Sequence, residues 1–148
     1  MNKKDFAITF HHVGVAVKSI KTALETFTGI FGFRRLTLPL EVPAQRVKVC
    51  FVEAPPGVLI ELVEGIGNHS PVKKIIEISG SGPYHLCYQV ADLDEAIAEL
   101  ESRGCILFRR FELPAHGLRR FAFLFTPDNQ LFELCEASRL GEPAVTPA

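Results

Sequence analysis

The sequence predicts an α+β fold of two tandem βαβββ modules, forming a cupped mixed sheet around a shared site. Three observations point there. Apolar patterning switches twice from alternation to helical spacing, an internal repeat recurs at a near-constant offset, and each copy carries one His and one Glu at equivalent places.

Residues 12–17 (His-Val-Gly-Val-Ala-Val) alternate as a strand does, and Ile20, Ala23, Leu24 and Phe27 then follow the i, i+3, i+4, i+7 spacing of an amphipathic helix. Gly29 and Gly32 are expected to stop that helix. Strands are expected over 47–52 and 58–63, joined by the turn Pro55, Pro56, Gly57. The order then returns. Residues 85–90 read as a strand, and Asp92 with Glu95 forms a capping box. Leu93, Ala96, Ile97 and Leu100 make the apolar stripe of a helix that Gly104 ends. Closing strands are expected over 121–125 and 131–135, separated by a turn at 126–129.

The copies are in register. His12 and His85 are 73 residues apart, as are Leu24 and Ile97; Gly32 and Gly104 are 72 apart, as are Glu61 and Glu133. The string Ile60-Glu-Leu-Val-Glu64 matches Phe132-Glu-Leu-Cys-Glu136 position by position. The chain of 148 residues therefore reads as one domain. Module 1 spans about 7–65, a linker with a short helix-like stretch opened by Ser70-Pro71 spans 66–82, module 2 spans about 83–137, and 141–148 is a fraying tail.

Composition narrows the function classes. With 16 basic against 17 acidic side chains and no Trp, nothing favours nucleic acid or an anionic membrane. No apolar run reaches the roughly 18 residues of a membrane span. The N-terminus makes a poor signal peptide, because Asp5 follows Lys3 and Lys4 and two histidines interrupt the next apolar run. Cys50, Cys87, Cys105 and Cys135 form no CxxC pair, so they read as small core residues in a cytoplasmic protein.

Strand alternation sorts the polar residues. His12 shares a side with Gly14 and Ala16, and His85 shares one with Cys87 and Gln89. Val13, Val15 and Val17, like Tyr84, Leu86, Tyr88 and Val90, are expected to face the helices. Glu61 and Glu133, each between two bulky residues, point away from that core. If a pseudo-two-fold pairs the copies, His12, Glu61, His85 and Glu133 converge on one hollow. Two imidazoles and two carboxylates suit a divalent ion such as Co, Zn, Ni or Mn. Leaving them buried without one would cost several kcal/mol per group.

The paired units and these four residues resemble the vicinal oxygen chelate superfamily, which includes glyoxalase I, methylmalonyl-CoA epimerase and extradiol dioxygenases. Residues 12–17, 41–49, 60–64, Ser70-Pro71-Val72 and Ala115-His116-Gly117 are most similar to methylmalonyl-CoA epimerase. That resemblance implies the ligand set His12, Glu61, His85 and Glu133. It also implies an epimerase or isomerase that removes a proton α to a carbonyl or thioester through a metal-stabilised enediolate, with Glu133 and Glu61 as catalytic carboxylates. His116, Arg119 and Gln89 are candidate substrate contacts, and Arg109, Arg110 and Arg120 are candidate holders of a substrate phosphate or carboxylate. His11 reads as structural and His69 as exposed. The substrate implied is a small molecule, an acyl-CoA or a glutathione adduct. A glyoxalase I-like lyase, a metal-free binding module of the bleomycin-resistance type and an Fe(II) dioxygenase are the alternatives. Exposed sheet edges lead us to expect a homodimer.

Overall fold

A computed structural model describes residues 7–112 and 120–136. The expected tail at 141–148 lies outside them. The described residues divide into two compact units, one comprising 12–85 and the other 7–11 with 86–112 and 120–136. Both β1 (Thr9–Val17) and β6 (Gly82–Val90) run from one unit into the other.

In the first unit, β1 lies parallel to β5 (Val58–Gly65), and β5 pairs antiparallel with β4 (Val47–Ala54). The short strands β2 (Arg34–Arg35) and β3 (Leu40–Val42) both pair antiparallel with β4. In the second unit, β6 lies parallel to β9 (Leu131–Glu136). There β9 pairs antiparallel with β8 (Phe121–Phe125), and β8 with β7 (Ile106–Phe111). The repeat in sequence is thus a repeat in topology: in each unit the first strand lies parallel to the last. Among the described residues β2 and β7 each have a strand neighbour on one side only, so the pairing stays open there. The fold is α+β with mixed strands, as the sequence predicts.

The helices follow their caps. Ser19 Oγ accepts the Thr22 N–H at 3.4 Å and opens α1 (Ile20–Leu24). The helix continues as a π-helical turn over Glu25–Ile30, where Thr28 Oγ1 donates to the Leu24 carbonyl at 2.6 Å. A hydroxyl bonded into the backbone ladder loosens it in this way. Gly29 therefore lies inside the helical segment instead of ending it, and Gly32 at φ +74° is the stop. The helix-like stretch of the linker is a full helix, α2 (Pro71–Ser79). It docks on β5 at Gly65, where a Cβ would come within 2.6 Å of Ser70 Oγ. Asp92 Oδ1 accepts the Glu95 N–H at 3.0 Å and opens α3 (Leu93–Ser102), and Gly104 at φ +100° follows its end.

Each unit has its own core on the helix side of its strands. Val15, Val17, Ile20, Cys50, Val52 and Leu62 form one, with Val13, Ala23, Leu24 and Phe27 against it. Val90, Leu93, Ala96, Ile97, Ala122, Leu124, Phe132 and Leu134 form the other, with Tyr88, Leu100, Cys105 and Leu107. Leu86 departs from the expected packing. It faces solvent at 43% exposure. The four cysteines are free thiols, and Cys50, Cys87 and Cys135 are fully buried.

Candidate metal centre

The parallel register sets Gly14 opposite Glu61, and His12 stands two residues before Gly14 on the same side of β1. His85 closes the group from β6. Nε2 of His12 lies 3.6 Å from Glu61 Oε1, and Nε2 of His85 lies 3.8 Å from the same oxygen. The two imidazole centroids are 5.6 Å apart. All three side chains are buried, His12 completely. Phe51 stands edge-on to His12 at 5.3 Å and Tyr84 edge-on to His85 at 4.5 Å, so the surrounding wall is aromatic.

These separations exceed hydrogen-bond length, yet they fit a shared cation. Two ligand atoms each bonded at about 2.1 Å to one ion, some 110–120° apart, lie about 3.4–3.6 Å from each other. The donor set of imidazole nitrogen and carboxylate oxygen suits Zn, Co, Ni or Mn. The residues present therefore fit a divalent metal.

Glu133 occupies the corresponding place in the second unit. The register there sets Cys87 opposite Glu133, as Gly14 stands opposite Glu61. Glu133 is buried, and the Cys87 thiol donates to its Oε1 at 3.5 Å. Gln89, two residues further along β6, is also buried, and its carbonyl accepts from Thr9 Oγ1 at 3.5 Å. Cys135 faces it in the register. His11 is buried and His69 is exposed, as the sequence suggests.

The remaining candidates fare differently. His116 and Arg119 lie outside the described residues. Arg110 is taken by ion pairs with Asp94 and, at 3.4 Å, with Glu112. Arg120 reaches Glu136 at 2.7 Å and Asp94 at 3.1 Å. Arg109 sits over the Phe111 ring, 4.9 Å from its centroid. The expectation that Arg110 and Arg120 hold a substrate anion is therefore corrected: each already has carboxylate partners within the protein.

Two features escaped the sequence reading. Gly14 is one. A Cβ there would lie 2.0 Å from Cε1 of His85, so only glycine lets that imidazole rest over β1. The other is the second glutamate of each Glu-Leu-x-Glu string. Glu64 Oε1 accepts the Ile20 N–H at 2.7 Å, and Glu136 Oε2 accepts the Leu93 N–H at 2.8 Å. Each carboxylate thus sits at the N-terminus of its module's helix, where exposed N–H groups favour an anion. Arg120 first, and then the Leu93 N–H, hold the Glu136 carboxyl below the usual range. A three-residue spacing on a strand puts Glu61 and Glu64 on opposite faces, which is the signal that could have found the second role.

The chain belongs to the glyoxalase/bleomycin resistance protein/dioxygenase superfamily, whose family model matches residues 11–123. Among curated proteins it is 32% identical over 127 residues to the uncharacterized protein YqjC of Bacillus subtilis, covering 84% of this chain and 89% of that one. It is 29% identical over 110 residues to the ethylmalonyl-CoA/methylmalonyl-CoA epimerase of Cereibacter sphaeroides, covering 72% and 81% respectively. Among solved structures, a hypothetical protein of Bacillus halodurans superposes with a TM-score of 0.79 at 29% identity, over 93% of this chain and 99% of that one. The fold is also that of the methylmalonyl-CoA epimerase of Mycobacterium tuberculosis, with a TM-score of 0.79 at 24% identity over 94% of each chain.

Proposed function

We propose that the protein is a metal-dependent epimerase of acyl-CoA thioesters, of the methylmalonyl-CoA epimerase kind. The observation that carries this reading is Glu61 Oε1 lying 3.6 and 3.8 Å from the Nε2 atoms of two buried imidazoles. In this reading His12, Glu61 and His85 hold a divalent ion, and Glu133 is the fourth donor. The likeness of the Gly14–Glu61 and Cys87–Glu133 register pairs supports the last assignment. The relationship to the Cereibacter sphaeroides enzyme supports the substrate class.

When held by these residues, a divalent ion would supply Lewis acidity to a carbonyl or thioester oxygen and so favour loss of the neighbouring proton. The chain's own residues do the rest. Glu133 accepts the α-proton from one face of the substrate, and Glu61, at the equivalent place in the other repeat and carrying a proton taken from solvent before turnover, gives that proton to the opposite face; Glu133 then releases its proton to solvent. Two carboxylates on opposite faces invert the centre, whereas one carboxylate shuttling between adjacent carbons would isomerise it. Phe51 and Tyr84, edge-on to His12 and His85, keep water from those two rings. Gln89, His116 and Arg119 are assigned to substrate contact. The protein works as a cytoplasmic homodimer of one-domain subunits, with modules at 7–65 and 83–137; the open strand edges support the dimer.

The test is metal content of the purified protein together with exchange of the α-proton of methylmalonyl-CoA in deuterated solvent. We expect about one divalent ion per chain, and exchange that a chelator and Glu133→Gln abolish. Exchange on the glutathione hemithioacetal of methylglyoxal, with none on acyl-CoA, would move the assignment to a glyoxalase-type lyase. Absence of stoichiometric metal in a folded protein would favour a binding module.

A further inference from the structure

The duplication puts Gly14 and Cys87 at the same place in the two repeats, each opposite its glutamate in a parallel strand pair. They differ in what they do there. Gly14 presents no side chain, and the room it leaves is filled by the His85 imidazole. Glu61 accordingly turns Oε1 toward imidazole nitrogens. Cys87 is fully buried, and its one thiol proton has two acceptors in reach, Glu133 Oε1 at 3.5 Å and the Tyr88 carbonyl at 3.8 Å; the nearer, charged carboxylate is the stronger. One carboxylate is thus set among rings and the other is held by a donor from its neighbouring strand.

We infer that Cys87 is a positioning residue that orients the Glu133 carboxylate and so makes the two glutamates inequivalent in proton transfer. The inference rests on the epimerase reading above. A hydrogen bond to one oxygen of a carboxylate fixes the rotation of the group about its last bond, so its remaining lone pairs keep one aim toward the ion and the α-proton. Proton transfer needs its acceptor within hydrogen-bond reach of the proton, so a carboxylate free to rotate reacts in a smaller fraction of encounters. Gly14 offers Glu61 no side-chain donor at the equivalent place, and Glu61 Oε1 faces the ring nitrogens of His12 and His85 instead. Each face of the substrate is served by one glutamate. Removing the thiol should therefore slow proton removal from one epimer and spare the other.

The experiment measures loss of the α-proton to deuterated solvent separately from the two epimers of methylmalonyl-CoA, on the metal-loaded protein. In Cys87→Ala we expect the rate from one epimer to fall about tenfold, the loss of roughly one charge-assisted hydrogen bond. KM and the other epimer should stay within about twofold, and Cys87→Ser, which keeps a donor, should restore most of the rate. Equal slowing of both epimers, or no rescue by serine, would overturn the inference. A second readout needs no turnover: the infrared S–H stretching band lost in Cys87→Ser should lie below the other thiol bands and rise in Glu133→Gln. An unmoved band would overturn the contact itself. A moved band with no exchange on either epimer would instead count against the epimerase reading.

Discussion

Replacing Gly14 by alanine tests the site through a single methyl group. Gly14 lies inside β1 and has no positive φ, so its backbone accepts alanine without strain. In a neutral setting Gly→Ala would stabilise the fold by about 0.4–1 kcal/mol through the unfolded chain. Here the new Cβ would lie 2.0 Å from His85 Cε1 and 2.4 Å from both ring nitrogens. Non-bonded carbon atoms rest about 3.5 Å apart, so the imidazole must move by about 1.5 Å. Metal bonds tolerate about 0.2 Å. The displaced ring therefore leaves the coordination distance, and affinity for a divalent ion should fall by at least about tenfold, up to about a hundredfold. Competition against a chromophoric chelator measures this, alongside thermal unfolding of the metal-free protein. The double variant Gly14→Ala/His85→Ala separates clash from folding, because without the ring the methyl should be neutral or stabilising. Wild-type metal affinity in a folded Gly14→Ala protein would refute the placement of His85.

Further predictions concern the helix ends and thiols. Glu136 has a folded carboxyl pKa below the ordinary 4.5, so its contribution to stability is complete above that value and fades as pH falls through the folded one. Glu136→Gln should lower urea stability at neutral pH by about 1 kcal/mol, allowing for solvent screening of a part-exposed group, and should flatten the acid side of the stability profile. An unchanged acid limb would count against the contact. Asp92→Ala should destabilise by about 1 kcal/mol, read from denaturant midpoints, because it removes the acceptor for the Glu95 N–H. A native thiol titration should label Cys105 first, since the other three thiols are fully buried and burial pushes the Cys50 thiol up further. Rapid labelling that persists in Cys105→Ser would contradict that burial.

Most of the architecture was legible because it is written twice. Local chemistry marks each element in both copies: Ser19 and Asp92 open helices, Gly32 and Gly104 follow their ends, and Asn129 adopts φ +68° in the closing turn. Alternation placed His12, Glu61 and His85 on the side away from the helices, and the geometry brings those three together. What stayed hidden depends on tertiary contact. Strands β2 and β3 are two and three residues long and are made by pairing with β4, too short to carry a pattern of their own. The π-helical turn rests on one Thr28 hydroxyl bond. Arg110 and Arg120 looked available because Asp94, which pairs with both, and Glu136, which pairs with Arg120, stand on other segments of the chain.

The Glu-Leu-x-Glu string has a consequence for how this chain can change. Three positions is an odd step along a strand, so a single string sends one acidic group to each face of its strand. Losing or gaining one residue between them would turn both groups to the same side, stripping either the hollow of its donor or the helix of its anchor. Tolerance to insertion should therefore be lowest within 61–64 and 133–136, and selection from a library of one-residue insertions would find those two windows empty.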